Sequence, residues 1–175
     1  MGIGTGRPGI ADQLHELGLP VTPASQRSGQ VREVVTALRE LDGPDLHTPV
    51  VMAVGGPRAQ AMAAELADTV TFVMAQTETR AQTTQRVRQF DNHRDLELAL
   101  HVPVIGDLVA PFMAGPDTDP AAVRAADSLA FLPSDPSAAA EEIQRRRDEF
   151  GFSYFVFGAD VAGALAPVVA ELAGR

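Results

Sequence analysis

Gly55-Gly56-Pro57-Arg58 is the stretch whose residue types and spacing best suit chemistry. The apolar run Pro49-Val50-Val51-Met52-Ala53-Val54 precedes it and a helix-patterned stretch over 59–67 follows, so the spacing predicts a strand, a glycine turn and a helix. The unpaired backbone N–H groups of a first helical turn, with the helix dipole behind them, suit a phosphate. Two glycines before such a turn let a ligand approach the backbone closely.

Other chemistries are poorly provided for. The chain has no cysteine, which removes a thiolate nucleophile, thiolate metal sites and a disulfide framework. There is no lysine for a Schiff base or a P-loop, and no serine sits in a Gly-x-Ser-x-Gly elbow. His15, His47, His93 and His101 are far apart and lack a metal-ligand spacing, so no metal site is expected. Any catalysis would then rest on a bound cofactor. Gly4-Thr5-Gly6-Arg7-Pro8-Gly9 matches the dinucleotide pattern Gly-x-Gly-x-x-Gly, but it lacks the full preceding strand and the acidic partner about 20 residues on that the pattern requires; a strand-to-loop junction is the reading preferred.

The 175 residues are 45% hydrophobic, enough to bury one sizeable core, and the expectation is a single domain over 1–175. A net charge of −9 opposes binding to nucleic acid or an anionic membrane. Neither a signal peptide nor an apolar run near the roughly 20 residues of a membrane span is visible, so a cytoplasmic protein is expected. In Arg145-Arg146-Arg147, the i,i+4 pairs Glu141 with Arg145 and Glu142 with Arg146 read as a solvated helix face.

Helical and strand periods alternate along the chain. Thr22-Pro23 offers a cap, and Val31, Val34, Val35 and Leu38 mark one inward helical face through about residue 41. Ala59, Met62, Ala63 and Leu66 mark the next helix. Residues 69–75 read as a strand covered on both faces, 77–90 as a polar helix and 96–104 as another strand. Residues 106–136, rich in proline, glycine and aspartate, read as an irregular loop-rich insertion with a short helix near 121–129. Asp135-Pro136 opens a helix that Gly151 stops after Phe150; 152–157 is a strand and 160–173 a last helix. The βαβα order implies a parallel sheet with helical crossovers. A (β/α)₈ barrel normally takes about 250 residues, so four or five βα units are expected.

Taken in order, these segments resemble the luciferase-like monooxygenase superfamily, in particular its actinobacterial branch that uses the deazaflavin coenzyme F420. The resemblance is carried by Gly2-Ile3-Gly4-Thr5-Gly6, Glu16-Leu17-Gly18-Leu19-Pro20, the helix from Arg27 to Leu41, and Thr48-Pro49-Val50-Val51-Met52-Ala53-Val54-Gly55-Gly56-Pro57-Arg58 with Ala67-Asp68 beyond. Asp135-Pro136, Gly151-Phe152-Ser153-Tyr154 and Leu165-Ala166-Pro167-Val168-Val169 extend it towards the end. It implies an α/β fold, a partial TIM (β/α)₈ barrel of the luciferase-like type comprising about the C-terminal four to five βα units with a parallel sheet. The half that supplies much of the ring pocket and substrate cavity would then lie outside these residues.

The resemblance also implies a cofactor site. Gly55 and Gly56 would offer backbone N–H groups to the cofactor phosphate, Pro57 would open the helix, and Arg58 would neutralise the phosphate. Met74, Ala75 and Gln76, at the end of the next strand where barrel loops gather, would line the cofactor or substrate pocket. The implied function is an oxidoreductase or monooxygenase exchanging hydride between F420, or FMN as the alternative, and a small organic substrate. The alternatives are a catalytically silent half-barrel acting as an interaction module and a phosphate-ligand-binding module. Exposed sheet edges point to a homo-oligomer or to a complementing N-terminal half.

Overall fold

The computed structural model describes residues 1–6, 9–90, 95–115 and 117–174. Arg7 and Pro8 of the Gly4 to Gly9 string, and His93, lie outside the described residues. Two compact units divide the chain: Met1–Val70 with Asn92–Leu96, and Thr71–Asp91 with Glu97–Arg175.

The first unit contains β1 (Gly2–Ile3), α1 (Ile10–Glu16), α2 (Ala24–Asp42), β2 (Val51–Val54) and α3 (Pro57–Leu66). β1 pairs in parallel with β2, Gly2 opposite Val51 and Ile3 opposite Met52. α2 buries Val31 and Val35 and half-buries Leu38, but Val34 is 47% exposed. The inward stripe is therefore narrower than expected. At 100° per residue, 31, 35 and 38 cluster within about 60°, and 34 falls beside them. Pro23, rather than Thr22, occupies the N-cap, and no side chain caps the helix.

Residues around Asp68 clamp the start of β2. Its Oδ2 accepts from the Val50 amide at 2.7 Å and from Arg39 Nη2 at 3.0 Å, and its Oδ1 contacts His47 Nε2 at 2.7 Å. Asp42 accepts from the Thr48 amide and hydroxyl at 2.8 and 2.7 Å. Burial pushes the Asp68 carboxyl up, but the Val50 amide, His47 and Arg39 together hold it below its ordinary value. For Asp42 the Thr48 amide is the largest single cause of lowering, with the Thr48 hydroxyl and Arg39 adding to it against burial.

The chain passes between units within β3 (Thr69–Phe72), which is buried throughout, as expected of a strand covered on both faces. The strand ends at Phe72 rather than at 75. The second unit continues with α4 (Arg80–Gln89), β4 (Glu97–His101), β5 (Val104–Ile105), β6 (Leu108–Val109), α5 (Pro111–Ala114), α6 (Pro120–Ala125), β7 (Phe131–Leu132), α7 (Pro136–Phe150), β8 (Phe152–Val156), a 3₁₀ turn (Ala159–Val161) and α8 (Ala162–Leu172). α4 begins three residues later than the sequence suggests because Thr79 and Gln82 form a reciprocal capping box. α7 matches its expected bounds, with Asp135 accepting from the Ala138 amide and Gly151 left-handed at φ 79°.

The main sheet has five parallel strands in the order β1-β2-β3-β4-β8. β4 pairs in parallel with β8, His101 opposite Val156. In the second unit Phe72 meets Phe90 and Phe152 edge-on at 5.5 and 6.4 Å, geometry that suits the ring quadrupoles. The stretch 106–136 is more ordered than its composition suggests. It contributes β6 and β7 to a second sheet, ordered β6-β5-β7, and Val104, Val123 and Ala130 form a buried cluster there. The prolines open α5 and α6 at their first turns instead of breaking structure.

The expected solvated face at 141–147 is a correction. Arg146 is 1% exposed and Glu142 8%. The i,i+4 pair exists, Arg146 Nε to Glu142 Oε1 at 2.7 Å, but it is buried and extended. Arg146 also donates to the Leu129 carbonyl at 2.8 Å and to the Phe131 carbonyl, while Arg80 Nη2 reaches Glu142 Oε1 at 2.6 Å. Arg145 pairs with Glu142 at i,i+3, not with Glu141. The inward turn of α7 at Arg146 follows from acceptors that a helix pattern cannot reveal: two backbone carbonyls left over by the 128–132 segment.

Candidate functional site

Gly55 follows the last residue of β2, and Gly56 is the N-cap of α3 with φ −114° and ψ 171°. That extended backbone suits any residue, and a Cβ at Gly56 would meet nothing within 4 Å. Neither strain nor protein packing requires glycine at 56, so its missing side chain leaves an open approach to the helix start. Pro57 occupies the first helical position and no side chain caps α3. The amides of Arg58 and Ala59 thus have no intrahelical acceptor.

A second uncapped helix start comes to the same place. Gly56, Pro57, Arg58 and Ala59 line a cleft of ≈ 380 Å³ together with Thr5, Ala24, Ser25 and Ser28. Ala24 and Ser25 are the first residues of α2, which also lacks a side-chain cap. Two helix dipoles therefore present their positive ends to one cleft, beside three hydroxyl-bearing residues and one arginine. No carboxylate lines it among the described residues. Arg27 Nε donates to the Thr5 carbonyl at 2.6 Å and Arg27 Nη1 to the Thr22 carbonyl, which fixes the loop after β1 against the start of α2. Arg58 itself is exposed. The cleft is larger than a phosphate group alone needs, and its chemistry is that of an anion site.

Met74, Ala75 and Gln76 belong to the other unit and lie in the loop beyond β3 rather than on the strand. Met74 is half-buried, its Sδ 3.6 Å from Thr83 Oγ1, and Ala75 is exposed with its carbonyl accepting from the Glu78 amide at 2.9 Å. Glu78 receives Arg86 on both carboxylate oxygens, Nε at 2.9 Å and Nη2 at 2.8 Å. With the capping box at Thr79, these contacts make the loop rigid. Within it Gln76 Oε1 is shielded from solvent and has no hydrogen-bond partner. Leaving a buried acceptor unmet costs about 1–3 kcal/mol, a cost that a water or a ligand donor would remove.

Among the described residues, no three His, Cys, Asp or Glu side chains cluster as metal ligands, and no helix is long and apolar enough to cross a membrane. The sequence located the Gly55 to Arg58 side of the cleft and missed its other wall. Thr22-Pro23 signalled a helix start, yet nothing in the pattern placed that start beside another. Thr5 came from the glycine string read as a strand-to-loop junction, and β1 does run into a loop there.

No known family profile matches the chain, and no curated protein matches it. Among solved structures it is similar to an F420-dependent secondary alcohol dehydrogenase in complex with an F420–acetone adduct. The two are 14% identical with a TM-score of 0.58, over 98% of this chain and 67% of the other. That neighbour is a TIM-barrel luciferase-like enzyme, and at this identity the likeness is one of fold alone: an α/β fold with a parallel sheet, like part of a TIM barrel.

Proposed function

We propose that this protein is a coenzyme F420-dependent oxidoreductase of the luciferase-like type that transfers hydride between the deazaflavin and a small organic substrate. The observation that carries this reading is the cleft where the uncapped starts of α2 and α3 meet Gly56, Arg58 and three hydroxyl-bearing residues with no carboxylate among them. When bound, the deazaflavin supplies the two-electron hydride chemistry that no side chain here provides. The chain's own part is binding and orientation. Backbone amides at Arg58, Ala59 and Ser25 donate to phosphate oxygens, Gly56 keeps the approach open, and Arg58 swings from solvent to neutralise the phosphate. Arg27 holds Thr5 in place through its carbonyl.

Titrating the protein with F420 and separately with FMN, following cofactor fluorescence, tests the reading. Saturable one-to-one binding of F420 is expected. Absence of F420 binding by the monomer and by every oligomer in solution overturns it, and preferential binding of FMN would reassign the cofactor.

A further inference from the structure

A second cavity, of ≈ 180 Å³ and wholly within the second unit, is lined by the guanidinium groups of Arg80, Arg124, Arg145 and Arg146. Only two carboxylates, Asp127 and Glu142, face them from its walls. These six side chains are not equally committed. Arg146 spends its donors on Glu142 and on the Leu129 and Phe131 carbonyls, and Arg80 spends its own on Glu142 at 2.6 Å, Asp127 at 3.2 Å and Glu149 at 2.9 Å. Both oxygens of Glu142 are occupied, Oε1 by Arg80 and Arg146 and Oε2 by Arg145. Those residues form a fixed frame.

Arg124 and Arg145 are different. Among the described residues Arg124 reaches one carboxylate, Asp107, at 3.5 Å, and that aspartate is 95% exposed. Its guanidinium is instead held by stacking 4.9 Å over the Phe131 ring, which orients the group without consuming its donors. Arg145 engages Glu142 through Nη2 alone and is 62% exposed at its side chain. Ser128 is 5% exposed, and its Oγ accepts from the Ala130 amide, which leaves the hydroxyl proton as a donor. The adjoining Asp127 is the one non-glycine residue with positive φ, 49°, among those described. Its backbone is bent so that its carbonyl accepts from the Arg80 amide at 3.1 Å.

We propose that this cavity binds a compact tetrahedral oxyanion, a phosphate either free or at the end of a small phosphomonoester, between Arg124 and Arg145. The two guanidinium forks that line the cavity supply charge-assisted donors, and the Ser128 hydroxyl supplies a third. Arg80, Glu142 and Arg146 hold the walls apart and make no direct contact with the anion. The cavity's volume admits a phosphate group. This site is separate in sequence and in unit from the Gly56 cleft, and it does not depend on the function proposed above.

Titration of ¹⁵N-labelled protein with inorganic phosphate, read at the arginine Nε–H resonances, tests this directly on the wild-type chain. Saturable shifts at Arg124 and Arg145, with Arg80 and Arg146 little moved, are expected. Calorimetry on Arg124→Gln and Arg145→Gln then separates this site from the Gly56 cleft: each variant should weaken one class of phosphate binding by at least about tenfold and leave the other unchanged. Both side chains are more than half exposed, so circular dichroism should report an intact fold. Glycerol 3-phosphate in place of inorganic phosphate distinguishes the two sources, the tighter ligand naming the one used. Unperturbed Arg124 and Arg145 resonances, or variant isotherms that superimpose on the wild type, overturn the proposal.

Discussion

Replacing Glu142 by leucine should destabilise the second unit by about 3–5 kcal/mol, the range for removing one partner of a buried ion pair. Without Glu142, Arg146 at 1% exposure keeps its positive charge, and Arg80 and Arg145 converge on the same place with no counterion between them. An arginine guanidinium is not deprotonated in proteins at neutral pH, so the group cannot escape the cost by losing a proton. Replacing Arg146 by methionine instead leaves Glu142 paired with Arg80 and Arg145. Its cost comes mainly from the Leu129 and Phe131 carbonyls, whose donors disappear, at about 1–3 kcal/mol each. The double replacement removes both charges, so it should cost clearly less than the two single changes added together. For a chain of this length 1 kcal/mol moves the midpoint by roughly 2–4 °C, so Glu142→Leu should lower it by about 6–20 °C in a thermal melt followed by circular dichroism at pH 7. Salt should change this little, because a buried pair is weakly screened. A loss below about 1 kcal/mol for Glu142→Leu, or strict additivity in the cycle, would refute the account of a charge-compensated core.

The depressed carboxyls of Asp42, Asp68 and Glu142 bind protons less readily folded than unfolded, so their stabilisation is present above the ordinary carboxylate pKa near 4 and is lost as pH falls through the folded values. Acid titration should show that loss, and Asp68→Asn should flatten it while lowering stability at pH 7; an unchanged acid limb would contradict the clamp on β2. Gly106→Ala should cost about 2–4 kcal/mol in urea unfolding, since Gly106 has φ 57° and an added Cβ would lie 2.7 Å from the Ser134 Cβ. Gln76→Leu removes the unmet acceptor, so the ligand-free protein should be as stable as wild type or more so in urea unfolding. A less stable ligand-free variant would mean that the acceptor was already satisfied.

Local signals in the sequence were strong wherever the chain supplies its own punctuation. Asp135-Pro136 and Gly151 bracket α7 at both ends, and Gly56-Pro57 opens α3, because caps and prolines act within one helical turn. Hydrophobic pattern alone overran β3 to 75, since Val73, Met74 and Ala75 are as apolar as the strand before them. In 106–136, prolines and glycines read as an irregular loop-rich insertion with one short helix, although they begin helices and serve tight turns in a small sheet. Arg146 shows the deeper limit. Charge pattern reports which partners lie on the same helix, but the burial of this arginine is decided by carbonyls 15 and 17 residues away. The cleft likewise combines two helix starts more than 30 positions apart, and only the folded chain brings them together.

The central claim is that the joined starts of α2 and α3 hold the phosphate of a deazaflavin cofactor. Comparing the affinity of the protein for F420 with its affinity for the same deazaflavin lacking the phosphate-bearing tail tests it most directly, with Gly56→Val as the companion variant. A Cβ at Gly56 would meet nothing within 4 Å and the extended backbone there suits valine, whose branched side chain would stand in the approach to the α3 amides. The account predicts that losing the phosphate weakens binding by at least about a hundredfold, as expected for several charge-assisted hydrogen bonds, and that Gly56→Val removes most of that difference. Equal affinities for the two compounds, or an undiminished preference for F420 in Gly56→Val, would contradict it.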